Sequence, residues 1–96
     1  MNPMAQYPVP HKQVAGRVID DEAVLVLSET GDVQVLNAVG ARIWELADGA
    51  RTLADIAQII TAEYDVDAAE ASADVLQFVQ RLVAEQVLLL SDQPQP

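Results

Sequence analysis

Cysteine is absent from this 96-residue chain. That excludes disulfides, thiolate zinc sites, iron–sulfur clusters and cysteine nucleophiles together, and fits a reducing compartment. Cations are scarce: 5 basic side chains face 15 acidic ones, for a formal charge of -10. A nucleic-acid binder needs clustered cations to displace phosphate counterions. Lys12, Arg17, Arg42, Arg51 and Arg81 are instead dispersed among acids, so nucleic acid is not an expected partner. The acidic surface serves solubility and would steer a basic protein partner. Long apolar runs are also missing. The longest, Ala23–Leu27 and Val87–Leu90, fall far short of the ~20 residues of a membrane span. No cationic segment leads into an apolar one near the N-terminus, so the expected location is cytoplasmic, with no membrane partner.

What is present is a chain that is 51% apolar, enough for one compact core without metal or disulfide. Residues 1–13, with Pro3, Pro8 and Pro10 among polar residues, read as a disordered arm, and residues 91–96 as a disordered tail. The folded part is 14–90. Val14–Ile19, Ala23–Leu27 and Val33–Leu36 read as strands. They are separated by the polar turns Asp20-Asp21-Glu22 and Ser28–Asp32, with Gly31 available for a positive φ. The middle strand is apolar throughout, as in a strand covered on both faces; the third reads as an edge.

Helical signals follow. Asn37 is a cap for a first helix carrying Val39, Ile43, Leu46 and Ala47, with Trp44 beside the stripe and Gly49 past its end. Thr52 and Asp55 resemble a capping box for a second helix with Leu53, Ile56, Ala57, Ile60 and Tyr64 on one face. Asp67 and Glu70 open a third helix of ~4–5 turns. Its apolar arc (Ala71, Val75, Leu76, Phe78, Val79, Leu82, Val83) is wider than one core contact requires. Val87–Leu90 closes as a short strand or an extended tail. The expected fold is α+β and winged-helix-like: a three-stranded antiparallel sheet followed by three helices, β-β-β-α-α-α.

No catalytic set assembles from these residues, and no enzyme activity, metal or cofactor is expected. His11, the sole histidine, lies in the proline-rich arm, so any triad or imidazole metal site would have to recruit it there. Asp20-Asp21-Glu22 serves a hairpin turn better than a cation. The four glycines form no phosphate loop. Gly40, inside the first helix, costs up to ~1 kcal/mol relative to Ala unless another element packs on its backbone. Trp44 is a core residue by spacing, and Phe78 is divided between core and groove. The remaining feature is an edge strand with neither charge nor proline from Val33 to Leu36, beside a helix with a wide apolar face. Such an edge can receive an extended peptide by strand addition.

The run Leu36-Asn37-Ala38-Val39-Gly40-Ala41-Arg42-Ile43-Trp44-Glu45-Leu46-Ala47-Asp48-Gly49, then Arg51-Thr52 and Ile56-Ala57, resembles the PqqD family. Asp74-Val75, Phe78-Val79, Leu82 and Val87–Leu90 extend the likeness over about 14–90. The resemblance implies a RiPP recognition element, a winged-helix domain that binds the leader region of a ribosomally made precursor peptide. The leader would add to the third strand against the third helix and be handed to a radical SAM enzyme, a leader peptidase or another modifying enzyme, in PQQ, lasso-peptide or related pathways. Carried onto this chain, backbone pairing falls on Val33, Gln34, Val35 and Leu36. Side-chain contacts fall on Asp74, Val75, Gln77, Phe78, Arg81 and Leu82. Arg81 pairs either with an acidic leader residue or with an acid on its own surface. An exposed edge also permits a strand-swapped dimer. Two other readings compete. A winged-helix DNA-binding regulator needs a basic third helix, yet Arg81 is its only cation. An acidic carrier protein needs a serine opening a helix after an aspartate and before a leucine, which the sequence lacks.

Overall fold

The computed structural model describes residues 2–95. In chain order the elements are a 3-10 turn (Pro3–Ala5), β1 (Tyr7–Pro10), β2 (Val14–Ile19), β3 (Glu22–Leu27), β4 (Val33–Leu36), α1 (Ala38–Leu46), α2 (Leu53–Tyr64), α3 (Ala68–Ala84) and β5 (Leu88–Ser91). The fold is α+β, with β2-β3-β4 as an antiparallel meander and three helices after it. Its turns follow local chemistry. Asp20 takes a left-handed φ of 57° between β2 and β3, and Gly31 one of 76° between β3 and β4; Asp tolerates that region and Gly has no Cβ to oppose it.

The helix starts are satisfied where the sequence placed caps. Asn37 accepts from the Gly40 N–H. Thr52 and Asp55 form a reciprocal capping box. Asp67 accepts from the Ala69 and Glu70 N–H groups. Each cap satisfies donors that have no partner within the helix. Burial then follows the 3.6-residue period: Ala41, Ile43 and Leu46 from α1, Leu53, Ile56, Ala57 and Ile60 from α2, and Ala71, Val75, Val79 and Leu82 from α3. They meet Ala23, Leu25, Leu27 and Leu36 from the sheet in one core. Tyr64 and Val39, assigned to helix core faces by spacing, are substantially exposed.

The N-terminal arm is a correction. Residues 1–13 were expected to be disordered, yet Tyr7–Pro10 pairs antiparallel with β5, aligning Pro8 with Leu90 and Pro10 with Leu88. His11 N–H donates to the Val87 carbonyl. Alternation along an antiparallel ladder then puts Pro8 and Pro10 where a backbone N–H would face away from β5, the position a strand proline can occupy. On that outer side the Pro8 carbonyl accepts from Gly49, and the Gln6 carbonyl accepts from Leu53 at the start of α2. Gln13 is buried, donating its side-chain amide to the Gln86 carbonyl. The tail differs likewise: Ser91 belongs to β5, and Gln95 N–H donates to the Gly49 carbonyl. Met1 and Pro96, the outer ends of the expected arm and tail, lie outside the described residues.

A second correction concerns β3. Its alternation is one-sided: Ala23, Leu25 and Leu27 are buried while Val26 is exposed. Three helices supply one covering layer, and α1 takes the inner face, with Trp44 lying on Gly16. The outer face leaves Ile19, Val26, Val33 and Val35 exposed at 52%, 41%, 61% and 60%.

Candidate functional site

β4 borders β3 on one side only. Which of its backbone groups are free follows from register. Leu27 N–H donates to the Asp32 carbonyl, and β3 and β4 align Leu25 with Gln34 and Ala23 with Leu36. Hydrogen-bonded pairs alternate in an antiparallel ladder, so Gln34 and Leu36 bond inward to β3. The N–H and C=O groups of Val33 and Val35 therefore point away from the sheet. The Val33 and Val35 side chains lie on the outer sheet face, and Leu36 inserts into the core.

Across from this edge stands α3. Val35, Leu36, Asn37, Phe78 and Arg81 line a cleft of about 280 Å³. Asp74, Gln77, Phe78 and Arg81 line a second of about 370 Å³. The two share Phe78 and Arg81, so they form one groove from the free edge of β4 along the surface of α3. Phe78 is half-buried, and its ring occupies space made by Gly40: a Cβ at Gly40 would stand 3.1 Å from Phe78 Cζ. The helical glycine thus has a packing reason. The Arg81 guanidinium carbon lies 5.3 Å from the centroid of that ring, within cation–π range.

Of the expected site residues, the structure brings Val35, Leu36, Asp74, Gln77, Phe78 and Arg81 to the groove, with Val33 and Gln34 on the adjoining strand. Gln34 and Leu36 are corrections as backbone partners, since their N–H and C=O groups bond inward to β3; Val75 and Leu82 are corrections as side-chain contacts. Val75 and Leu82 are fully buried, because they share the α3 face with Ala71 and Val79 that fills the core. Their side chains are not available to a peptide. Asn37, which the sequence marked only as a cap, lines the groove; its Oδ1 is engaged by Gly40.

Electrostatics elsewhere are structural. Arg42 bonds Glu63 through two nitrogens, at 2.9 and 2.8 Å, tying α1 to α2. This hydrogen bond holds the Glu63 carboxyl below its ordinary pKa and raises that of Arg42. Among the described residues no cluster of three His, Asp or Glu side chains could hold a metal ion, and no helix is long and apolar enough to cross a membrane. What the groove offers chemically is main-chain hydrogen bonding on one wall and an aromatic floor with one cation on the other.

Residues 22–88 match the family described as PqqD, coenzyme PQQ synthesis protein D. A "PqqA binding protein" of Xanthomonas oryzae pv. oryzae is 37% identical over 70 residues, spanning 73% of this chain and 74% of its own. Among solved structures, TbiB1 in complex with the TbiA(beta) leader peptide is 35% identical with a TM-score of 0.78, spanning 83% of this chain and 93% of its own. The PqqD truncation of Methylobacterium extorquens PqqCD, described as a functional, stand-alone RiPP recognition element, is 30% identical with a TM-score of 0.70, spanning 85% and 87%.

Proposed function

This chain belongs to the PqqD family, and from that premise we propose that it is a leader-peptide adaptor. It takes the leader region of a ribosomally made precursor as an added strand along β4 and presents the peptide to a modifying enzyme, such as a radical SAM enzyme or a leader peptidase. It performs no chemistry itself. The observation that carries this reading is the unpaired edge at Val33 and Val35, opening onto a groove floored by Phe78. The leader-binding relatives support it, and so does charge. The helix that would have to enter DNA in a regulator carries Glu70 and Asp74 against the single Arg81.

The energetics divide the work between the two walls. Val33 and Val35 each offer one N–H and one C=O, hence four bonds at most. At about 0.5–1.5 kcal/mol net apiece, these supply roughly 2–6 kcal/mol, whereas a 1 μM complex needs about 8 kcal/mol. Side-chain contacts in the groove, with apolar burial against Phe78 at ~25 cal/mol per Å² the largest of them, must supply the remainder and offset the ordering of the peptide. Backbone pairing gives affinity to many extended peptides, and the groove selects among them.

The test is amide hydrogen exchange by NMR during titration with synthetic leaders of precursors encoded beside this gene. The Val33 and Val35 amides should exchange fast in the free protein and become protected on binding, while Gln34 and Leu36 are protected throughout. Saturation without protection at Val33 or Val35 would remove strand addition. Failure of every neighbouring leader to bind below about 100 μM, a free energy of roughly 5.5 kcal/mol, would remove the adaptor reading.

A further inference from the structure

Resting on the reading of β4 and α3 as a peptide groove, we infer that Arg81 is its specificity residue, selecting a peptide that carries a carboxylate opposite Val35–Asn37. The state of the guanidinium carries this. Arg42 and Arg51 are committed to near carboxylates, at 2.8 Å to Glu63 and 2.7 Å to Asp48. Arg81 is not: its nearest acid, Glu85, is 3.9 Å from Nε, beyond hydrogen-bond distance. Among the described residues its guanidinium makes no hydrogen bond. The side chain stays 58% exposed and lies over the Phe78 ring, which fixes its direction while leaving its N–H donors open.

The setting sharpens the preference. A protein of net charge -10 disfavours an acidic peptide except where a cation is left without a hydrogen-bonded carboxylate. In the groove that place is Arg81, the sole cation of α3, in a cleft with Val35 and Asn37. Its planar fork matches a carboxylate in a two-point geometry. Asp74 lines the adjoining cleft. Seven residues earlier on α3, it lies about 10 Å along the axis at 1.5 Å per residue. The groove is thus cationic beside the strand edge and anionic further along. A peptide with an acid opposite Val35–Asn37 and no acid near Asp74 matches that polarity, whereas the reversed peptide sets its acid against Asp74 and leaves Arg81 without a partner. The cation and anion thereby fix peptide direction as well as composition.

The experiment uses the full chain and the fluorescein-labelled leader of the precursor encoded nearest this gene, read by fluorescence anisotropy. The proteins are wild type, Arg81→Gln, Arg81→Glu and Val35→Pro, and each acidic residue of the peptide is replaced by lysine in turn. Arg81→Glu should weaken binding about 10-fold at 0.1 M salt, because reversal removes an attraction and adds a repulsion. The loss should shrink at 1 M salt, where the screening length falls to about 3 Å, and Arg81→Gln should fall between. One lysine-bearing peptide should bind wild type poorly and Arg81→Glu well; a merely structural Arg81 would give no such exchange. If Val35→Pro abolishes binding while Arg81→Glu changes it less than about 2-fold, or no lysine peptide is rescued, the carboxylate assignment is overturned and the groove stands. If Val35→Pro leaves binding intact, or no leader binds wild type, the groove fails and this assignment with it.

Discussion

Proline placed at two neighbouring positions of β4 should separate folding from binding. Gln34 N–H bonds inward, opposite Leu25, whose residue is fully buried. Gln34→Pro removes that ladder bond and leaves a buried carbonyl unpaired. The bond is worth about 1 kcal/mol and the orphaned acceptor about 1–3 kcal/mol more, for a total near 2–4 kcal/mol. At roughly 4–8 °C per kcal/mol for a domain of this size, the midpoint of thermal unfolding should fall by about 8–32 °C. Val35→Pro removes a donor that already faces outward. The residue before it is already extended, as proline requires, so the stability loss should stay under about 1 kcal/mol. Peptide binding should fall at least about 10-fold, because one bond is lost and the pyrrolidine ring occupies the space an incoming carbonyl needs. Circular dichroism melts and anisotropy titrations on the two variants measure both effects. A Val35→Pro protein that melts as early as Gln34→Pro would refute the assignment of inward and outward groups. One that melts normally and binds normally would refute peptide pairing along β4.

Three further outcomes follow from packing and charge. Gly16→Ala should destabilise by about 1–3 kcal/mol, since its Cβ would stand 2.6–2.7 Å from the Trp44 indole; an unchanged melt and unchanged tryptophan emission would contradict that contact. Glu63→Gln should lower stability to urea at neutral pH and lose its effect in strong acid. The Arg42 hydrogen bond depresses the Glu63 pKa, so its contribution exists above the unfolded-state pKa and disappears as pH falls through the lower folded one. A difference from wild type that persists unchanged into strong acid would contradict it. A chain beginning at His11 loses the β1–β5 ladder and the fully buried Pro8, which should cost about 2–3 kcal/mol. Because β1 lies apart from the β4–α3 groove, leader affinity of the folded fraction should be retained within about 2-fold; a larger loss would show that the N-terminal strand takes part in binding.

Whatever depends on near neighbours was legible in the order of the residues. Asn37, Thr52 with Asp55, and Asp67 announced three helix starts because a cap is bonded two or three residues away. Gly31 announced a turn because only its own φ was at issue. The stripes of α2 and α3 announced a core because the helical repeat is local, and the scarcity of cations weighed against nucleic acid without any fold. The edge character of β4 and the groove side of Phe78 and Arg81 were legible in part, through a strand without charge or proline and an apolar arc too wide for one contact. Tertiary structure decided the rest. Periodicity tells which α3 residues share a face, not which face meets the core, so Val75 and Leu82 were assigned to the groove and proved buried. The apolar run of β3 does not reveal that the helices cover one face of the sheet and leave the other open. Pro8 and Pro10 read as disorder until β5 came alongside. Their spacing of two is the trace of a strand whose missing N–H groups face away from its partner, and a ladder between residues some eighty positions apart exists only once the chain has closed on itself.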